Sequence, residues 1–400
     1  MNRQHILTHL RTEIETNLPC LGAWQAAGLA LLVFGLLGQG KAQLSQIAEG
    51  VPEEGSYNTV RQRVKRWVSN PRLPWRTLGE AWIAWVWRRY GGQRAILLVD
   101  ETKLGDRFGV MMVSLAYGQR AIPLLWRCYV ANDRDAYPQQ GQVLLIYGLL
   151  ARVITILPVN ARPLVQMDRG LSHSSAMLRA LRALRVDFLV RVKANACFSS
   201  RGGCTQKLKH WIAPGQSKRL RGTLFSGEQG CEGTIGLIWE TGQAEAWCLF
   251  SNDPHLAGHQ YALRWWQEES FRDLKSGGWQ WPISHLNCPD RMERLILVMA
   301  IAYAFAISTG VEVWQQAPRL QAETVTPDEL PRLSLFRLGL RYLKRVFANV
   351  APLPSLKLAF PQPAFFAGPK SVPLSALRGG RAGGERYWAE SLRFVVMASP

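Results

Sequence analysis

The chain has 400 residues, 48% of them apolar, and carries 48 Lys and Arg against 29 Asp and Glu, a formal net charge of +19. That length is too great for one ordinary core and predicts two or three domains, with ample apolar content for globular packing. Seven scattered cysteines without a Cys-x-x-Cys pair argue against a disulfide framework or a zinc site and fit reduced thiols in a cytoplasm, while the cation excess points to a polyanionic partner, nucleic acid first.

Residues 1 to about 90 read as helical. Ile6, Leu7, Leu10 and Ile14 recur at helical spacing. Leu21 to Gly38 is apolar enough to invite a membrane reading, but Gln25 interrupts it and several glycines dilute it. The residues before it are amphipathic and charged, unlike a secretory leader. We read it as a buried helix of an N-terminal bundle and expect no membrane association. After Ala42 to Ala48 and a loop from Gly50 to Ser56 comes a helix from Tyr57 to Val68, capped by Ser56 or Asn58. It carries Arg61, Arg63, Lys65 and Arg66. Helix, short loop and basic helix is the layout of a DNA-docking unit, in which these four cations would contact phosphates and supply affinity without reading sequence. Trp75 to Tyr90 is a further helix, broken by Gly91-Gly92.

From Arg94 the period changes. Ala95 to Val99 is a short apolar run ending at Asp100, as in a central strand. Gly109 to Ala116 and Ala121 to Tyr129 read as a hairpin joined at Tyr117-Gly118-Gln119-Arg120. Gln142 to Ile156 and Ser174 to Leu184 are helices; Arg162 to Met167, which delivers Asp168, and Asp187 to Val192 are strands. Between 195 and about 250, frequent glycines and short alternating runs predict a β-rich insertion. Asp290 to Ser308 forms a long apolar helix, Leu333 to Val350 a basic amphipathic one, and the Pro/Gly-rich stretch 368–386 is expected to be mobile.

The segment from Tyr261 to Lys275 is the most informative. On one helix at about 100° per residue, Tyr261, Arg264, Glu268 and Lys275 fall within roughly 60° of one another, with Trp265 and Arg272 beside them. Leu263, Trp266, Phe271 and Leu274 gather opposite. Taken alone, this is also the pattern of a solvated amphipathic face. A single carboxylate among three cations and an aromatic, however, suits a polyanion held by the cations while the carboxylate holds a metal. Two more acids stand at strand ends, Asp100 and Asp168, where functional side chains collect in α/β sheets. With Glu268 they would hold two divalent ions through oxygen ligands and act on a phosphodiester. Glu101 and Glu269 are the alternatives to Asp100 and Glu268; adjacent strand residues face opposite ways, and Glu269 lies about 80° from Tyr261.

The Tyr261-x2-Arg264-x3-Glu268-x6-Lys275 spacing resembles the Tyr-Arg-Glu-Lys signature of a family of bacterial insertion-sequence transposases with a DDE triad, the family of the transposon-five transposase. The resemblance covers roughly residues 90 to 350. It implies an α/β, ribonuclease H-like catalytic core with a β-rich insertion and an N-terminal helical DNA-binding domain. The expected division is 1–90 for the helical domain, 91–193 and 256–350 for the core, 194–255 for the insertion and 351–400 for the tail. It further implies Asp100, Asp168 and Glu268 as catalytic metal ligands for Mg²⁺, which Mn²⁺ replaces. Tyr261, Arg264 and Lys275, with Arg272 next to them, would hold DNA near the cleaved end. Trp265 would stack on an unpaired base or pack in the core. The activity implied is cut-and-paste: binding of terminal inverted repeats, cleavage of the element ends and joining of the 3′-hydroxyl to target DNA, by a homodimer associated with the nucleoid. A non-catalytic DNA-binding descendant, another ribonuclease H-like nuclease and a peripheral membrane protein are the competing readings.

Overall fold

The computed structural model of the chain describes residues 3–52, 55–92, 94–133, 141–158, 161–225, 230–255, 258–315 and 333–359. Five helices come first: α1 (Arg3–Asn17), α2 (Ala23–Gln39), α3 (Leu44–Glu49), α4 (Tyr57–Val68) and α5 (Trp75–Arg89). The Ser56 hydroxyl, not Asn58, caps α4 by accepting from the Thr59 amide at 3.3 Å. Then come β1 (Ile96–Leu104), β2 (Phe108–Tyr117), β3 (Arg120–Val130), α6 (Gly141–Ile156), β4 (Leu164–Met167), α7 (Ser175–Ala183) and β5 (Asp187–Val192). Strands β6 (Cys197–Ser200), β7 (Thr205–Lys207), β8 (Gln216–Leu224), β9 (Cys231–Trp239) and β10 (Trp247–Ser251) follow. A 3₁₀ helix (Gly258–Arg264), α8 (Trp265–Leu274), α9 (Pro289–Gln315) and α10 (Leu335–Asn349) close the described chain.

All ten strands form one sheet in the order β3-β2-β1-β4-β5-β10-β9-β8-β6-β7. β1, β4 and β5 are parallel; β2 and β3 return antiparallel beside β1. The β2–β3 hairpin closes through a two-residue turn with positive φ at both Gly118 (57°) and Gln119 (62°), the turn type whose twist matches the flanking strands. β3 is an edge strand, which accounts for its internal Pro123, beside which Leu124 bulges out of register between Val113 and Ser114 of β2. That edge is covered: the buried Glu293 carboxylate of α9 accepts from the Cys128 amide at 2.8 Å, and Trp82 of α5 donates to the Pro123 carbonyl at 2.9 Å.

The strand read as ending at Asp100 continues to Leu104, because β2 pairs along its whole length as far as Leu104 opposite Phe108. Alternation along β1 decides what each face carries. Ile96 and Leu98 join Leu263 and Trp266 in a small core beneath α8, while Leu97 and Val99 enter the main core. The main core also takes in buried residues of α1 to α5 and of strands β6, β8, β9 and β10. The apolar helix expected over 290–308 is longer, 27 residues in α9. It is long and apolar enough to span a membrane, but 94% of its most apolar window is buried in the protein, so here it serves as a core helix. α10 crosses α9 at glycines: a Cβ on Gly339 would sit 1.7 Å from the Ala306 carbonyl oxygen. α2, shorter and also buried, packs between α1 and α9. The 368–386 stretch and most of the expected tail lie outside the described residues.

Candidate active site

Three elements bring the acids together. Asp100 has the same parity on β1 as Ile96 and Leu98, so it faces α8; Glu101 faces the other way and accepts from the Tyr129 hydroxyl. β4 runs parallel to β1 with Met167 opposite Val99, which sets Asp168, the next residue, level with Asp100 on the neighbouring strand. Strand neighbours stand about 4.8 Å apart, so register alone places these two acids side by side.

The third acid arrives on a segment stitched to β4. Gln166, buried in that strand, donates to the Gln260 carbonyl at 2.8 Å, and the Tyr261 hydroxyl donates to the Met167 carbonyl at 3.1 Å. These bonds seat the 3₁₀ helix over the end of β4 and carry Arg264 to the acids. Arg264 Nη2 lies 2.9 Å from Asp100 Oδ2 and 3.8 Å from Asp168 Oδ2, and Nη1 bonds Glu268 one turn on. All three carboxylates therefore converge on one guanidinium. Glu269 points away: it lies 2.6 Å from Arg272 and 3.9 Å from the buried Arg120.

The expectation of a single helical stripe needs correction. Tyr261 and Arg264 belong to the 3₁₀ helix, α8 begins only at Trp265, and Lys275 follows its last residue. The tighter 3₁₀ winding rotates Tyr261 inward. It is 4% exposed and stacks edge-on against Trp247, so its hydroxyl serves the β4 end and is not presented to a ligand. Arg272 is paired with Glu269 on the side away from the acids. Lys275 does reach the site's strand, donating to Thr102 Oγ1 at 2.6 Å on the Asp100 face of β1. Trp265, 45% exposed beside Arg264, presents its ring to solvent and is not a core residue. On α4, Arg61, Arg63, Lys65 and Arg66 are all exposed.

The electrostatics follow from burial. Desolvation pushes the Asp100 carboxyl up to about 6 from an ordinary 3.8; Arg264 opposes this, and Asp168 and Glu268 add to it. Burial would lower the Arg264 guanidinium, but Asp100, Tyr261 and Glu268 reverse the sign and hold it firmly charged. Burial lowers Lys275, with Asp100 pulling the other way. Three carboxylates gathered in a half-buried place need a cation, and Arg264 supplies it.

The donor set fits a hard divalent cation, since all three side chains offer carboxylate oxygens. The spacing in this conformation does not: among the described residues no group of three His, Cys, Asp or Glu stands close enough to hold a metal. The Arg264 guanidinium stands among the three acids. A cavity of about 350 Å³ lies elsewhere, lined by residues of β5, β8, β9 and β10.

Sequence reasoning misses the supports. Arg120 Nε lies 2.6 Å from Asp273 of α8, and the Tyr303 hydroxyl of α9 donates to the same carboxylate at 2.9 Å. Ser270 accepts from the Ala121 amide at 2.7 Å. Together they clamp α8, and hence Glu268, to the β2–β3 turn. Signals are present: Ser270 and Asp273 interrupt the buried side of an amphipathic helix, and Gln166 interrupts an apolar strand.

Residues 128–305 match the family model described as the transposase DDE domain. The match contains Asp168 and Glu268 and begins after Asp100. It supports a DDE transposase, and a mixed α/β architecture around a large, mostly antiparallel sheet fits such a domain. No curated protein matches the chain.

Proposed function

We propose that the chain is a cut-and-paste transposase of an insertion sequence, with Asp100, Asp168 and Glu268 as its catalytic acids. The observation that carries this reading is the convergence of all three carboxylates on the Arg264 guanidinium. The strand order β3-β2-β1-β4-β5, with β1, β4 and β5 parallel, supports a ribonuclease H-like core, and β6 to β10 are its insertion. The Tyr261, Arg264, Glu268 and Lys275 spacing supports membership of the family with the Tyr-Arg-Glu-Lys signature. Asp100, Asp168 and Glu268 would hold Mg²⁺ or Mn²⁺, which supplies Lewis-acid assistance to phosphodiester cleavage when bound.

The chain's own residues then have distinct roles. Arg264, released from the carboxylates, turns to a DNA phosphate. Lys275 neutralises a second phosphate beside β1. Trp265 offers a face on which an exposed base stacks. Tyr261 positions Arg264 through the Met167 carbonyl. The helices of residues 1–90, with the cations of α4, bind the inverted repeats that end the element. The protein acts as a homodimer on paired ends, on double-stranded DNA in a nucleoid-associated cytoplasmic setting, without a membrane.

The test is cleavage of DNA that carries the inverted repeats flanking the gene. Asp100→Ala, Asp168→Ala and Glu268→Ala, each alone, should keep end binding and lose Mg²⁺- or Mn²⁺-dependent nicking. A variant that nicks at the wild-type rate removes that acid from the site; a wild type that never nicks under either cation removes the reading.

A further inference from the structure

A groove of about 570 Å³ lies between the N-terminal helices and the loop that leads into α9. Arg61 and Lys65 line one wall, four residues apart on one stripe of α4. Ser45 of α3 stands beside them, and Ser284, His285 and Arg291 line the opposite wall. No acid lines it among the described residues, although the exposed Asp290 precedes Arg291. Arg61, Lys65 and Arg291 are exposed, and none has a hydrogen bond or ion pair among the described residues.

Ser284 belongs to this wall and is 5% exposed, its hydroxyl buried without a hydrogen-bond partner among the described residues. The wall is firmly built. Arg107, in the β1–β2 turn, donates to the Leu286 carbonyl at 3.1 Å and also to that of Pro282. Arg294 of α9 donates to the Val68 carbonyl at the end of α4, at 3.1 Å, and the Ala42 amide to the Trp279 carbonyl at 2.7 Å. The groove is thus tied to β1, on which Asp100 lies four residues, roughly 13 Å of extended strand, before Leu104.

We propose that this groove seats backbone phosphates of duplex DNA, forming a second, non-catalytic phosphate site shared by the N-terminal helices and the core. The proposal rests on the DNA-processing reading above for its ligand, but its test requires no cleavage. Three cations unpaired among the described residues, without an opposing acid, fit phosphate. Of the four cations of α4, Arg61 and Lys65 turn to this groove, which assigns them a common partner with Arg291.

Affinity of the full-length protein for a labelled duplex of arbitrary sequence, measured in EDTA over a range of KCl concentrations, tests it. Removing one phosphate-binding cation reduces the slope of log K against log [salt] by about 0.9. Arg291→Ala and Lys65→Ala should each show one such step, and the pair two. Lys209→Ala, exposed after β7 and outside the helices of residues 1–90, controls for general loss of charge. Groove variants with the slope and affinity of the Lys209 control overturn the proposal and leave the acids' role standing. A wild-type protein that does not retain duplex DNA overturns both.

Discussion

Asp100→Asn is expected to stabilise the metal-free protein at neutral pH while abolishing its activity. The Asp100 side chain is 14% exposed, and burial raises its carboxyl from 3.8 to about 6 even with Arg264 at 2.9 Å. The folded state therefore holds this proton more tightly than the unfolded chain. The associated stability is fully present below about 3.8 and is lost as pH rises through about 6. Two pKa units at about 1.4 kcal/mol each make this roughly 3 kcal/mol. Asn mimics the protonated acid in shape and accepts from Arg264, so the variant escapes the loss. Urea unfolding followed by circular dichroism, in EDTA, reads the difference. The variant and the wild type should be nearly equal at about pH 4 and should separate as the pH is raised, the variant leading by up to roughly 3 kcal/mol at about pH 8. A variant no more stable than the wild type at about pH 8 would refute the idea that Asp100 is ionised at a cost, and with it the electrostatic reason for a cation at this site.

Arg120→Met leaves Asp273 buried without its cation, only the Tyr303 hydroxyl still donating to it, and should cost about 3–5 kcal/mol, most of it recovered in Arg120→Met/Asp273→Leu; equal instability of single and double variants in urea would show that the pair is not the clamp on α8. Gly339→Ala places a methyl 1.7 Å from the Ala306 carbonyl oxygen and should lower stability by about 1–3 kcal/mol or more, so an unchanged unfolding midpoint would contradict the close α9–α10 crossing. Arg264→Met removes the competing guanidinium and should tighten Mn²⁺ binding to the DNA-free protein severalfold in calorimetry. Weaker binding would mean that Arg264 assembles the acids for the metal and does not compete with it.

Local pattern is enough for much of this molecule. Periodicity in residues 57–68 and 75–90 marks α4 and α5, the Gly118-Gln119 turn marks the hairpin, and the apolar runs before Asp100 and Asp168 mark β1 and β4, because each depends on neighbours a few residues away. Asp100 and Glu101 are alternatives in sequence, and β1's alternation turns Asp100 toward α8 and Glu101 away from it. Helical angle separates Glu268 from Glu269, and in the structure Glu268 meets Arg264 while Glu269 pairs with Arg272 and with Arg120, 149 positions away in the chain. A helical wheel misplaces Tyr261 because it assumes one winding throughout, and the bonds from Gln166 and to Met167 that favour the 3₁₀ turn come from a strand nearly a hundred residues earlier. Nothing local shows that β6 to β10 extend the same sheet, or that Arg291 faces Arg61 and Lys65. The sequence by itself determined the elements, the order of the acids and the excess of positive charge, all of which are properties of short segments or sums. Only the tertiary structure decided which charges meet, because register between β1 and β4, burial at α8 and the approach of α9 to α4 join residues whose separation along the chain carries no record of their distance in space.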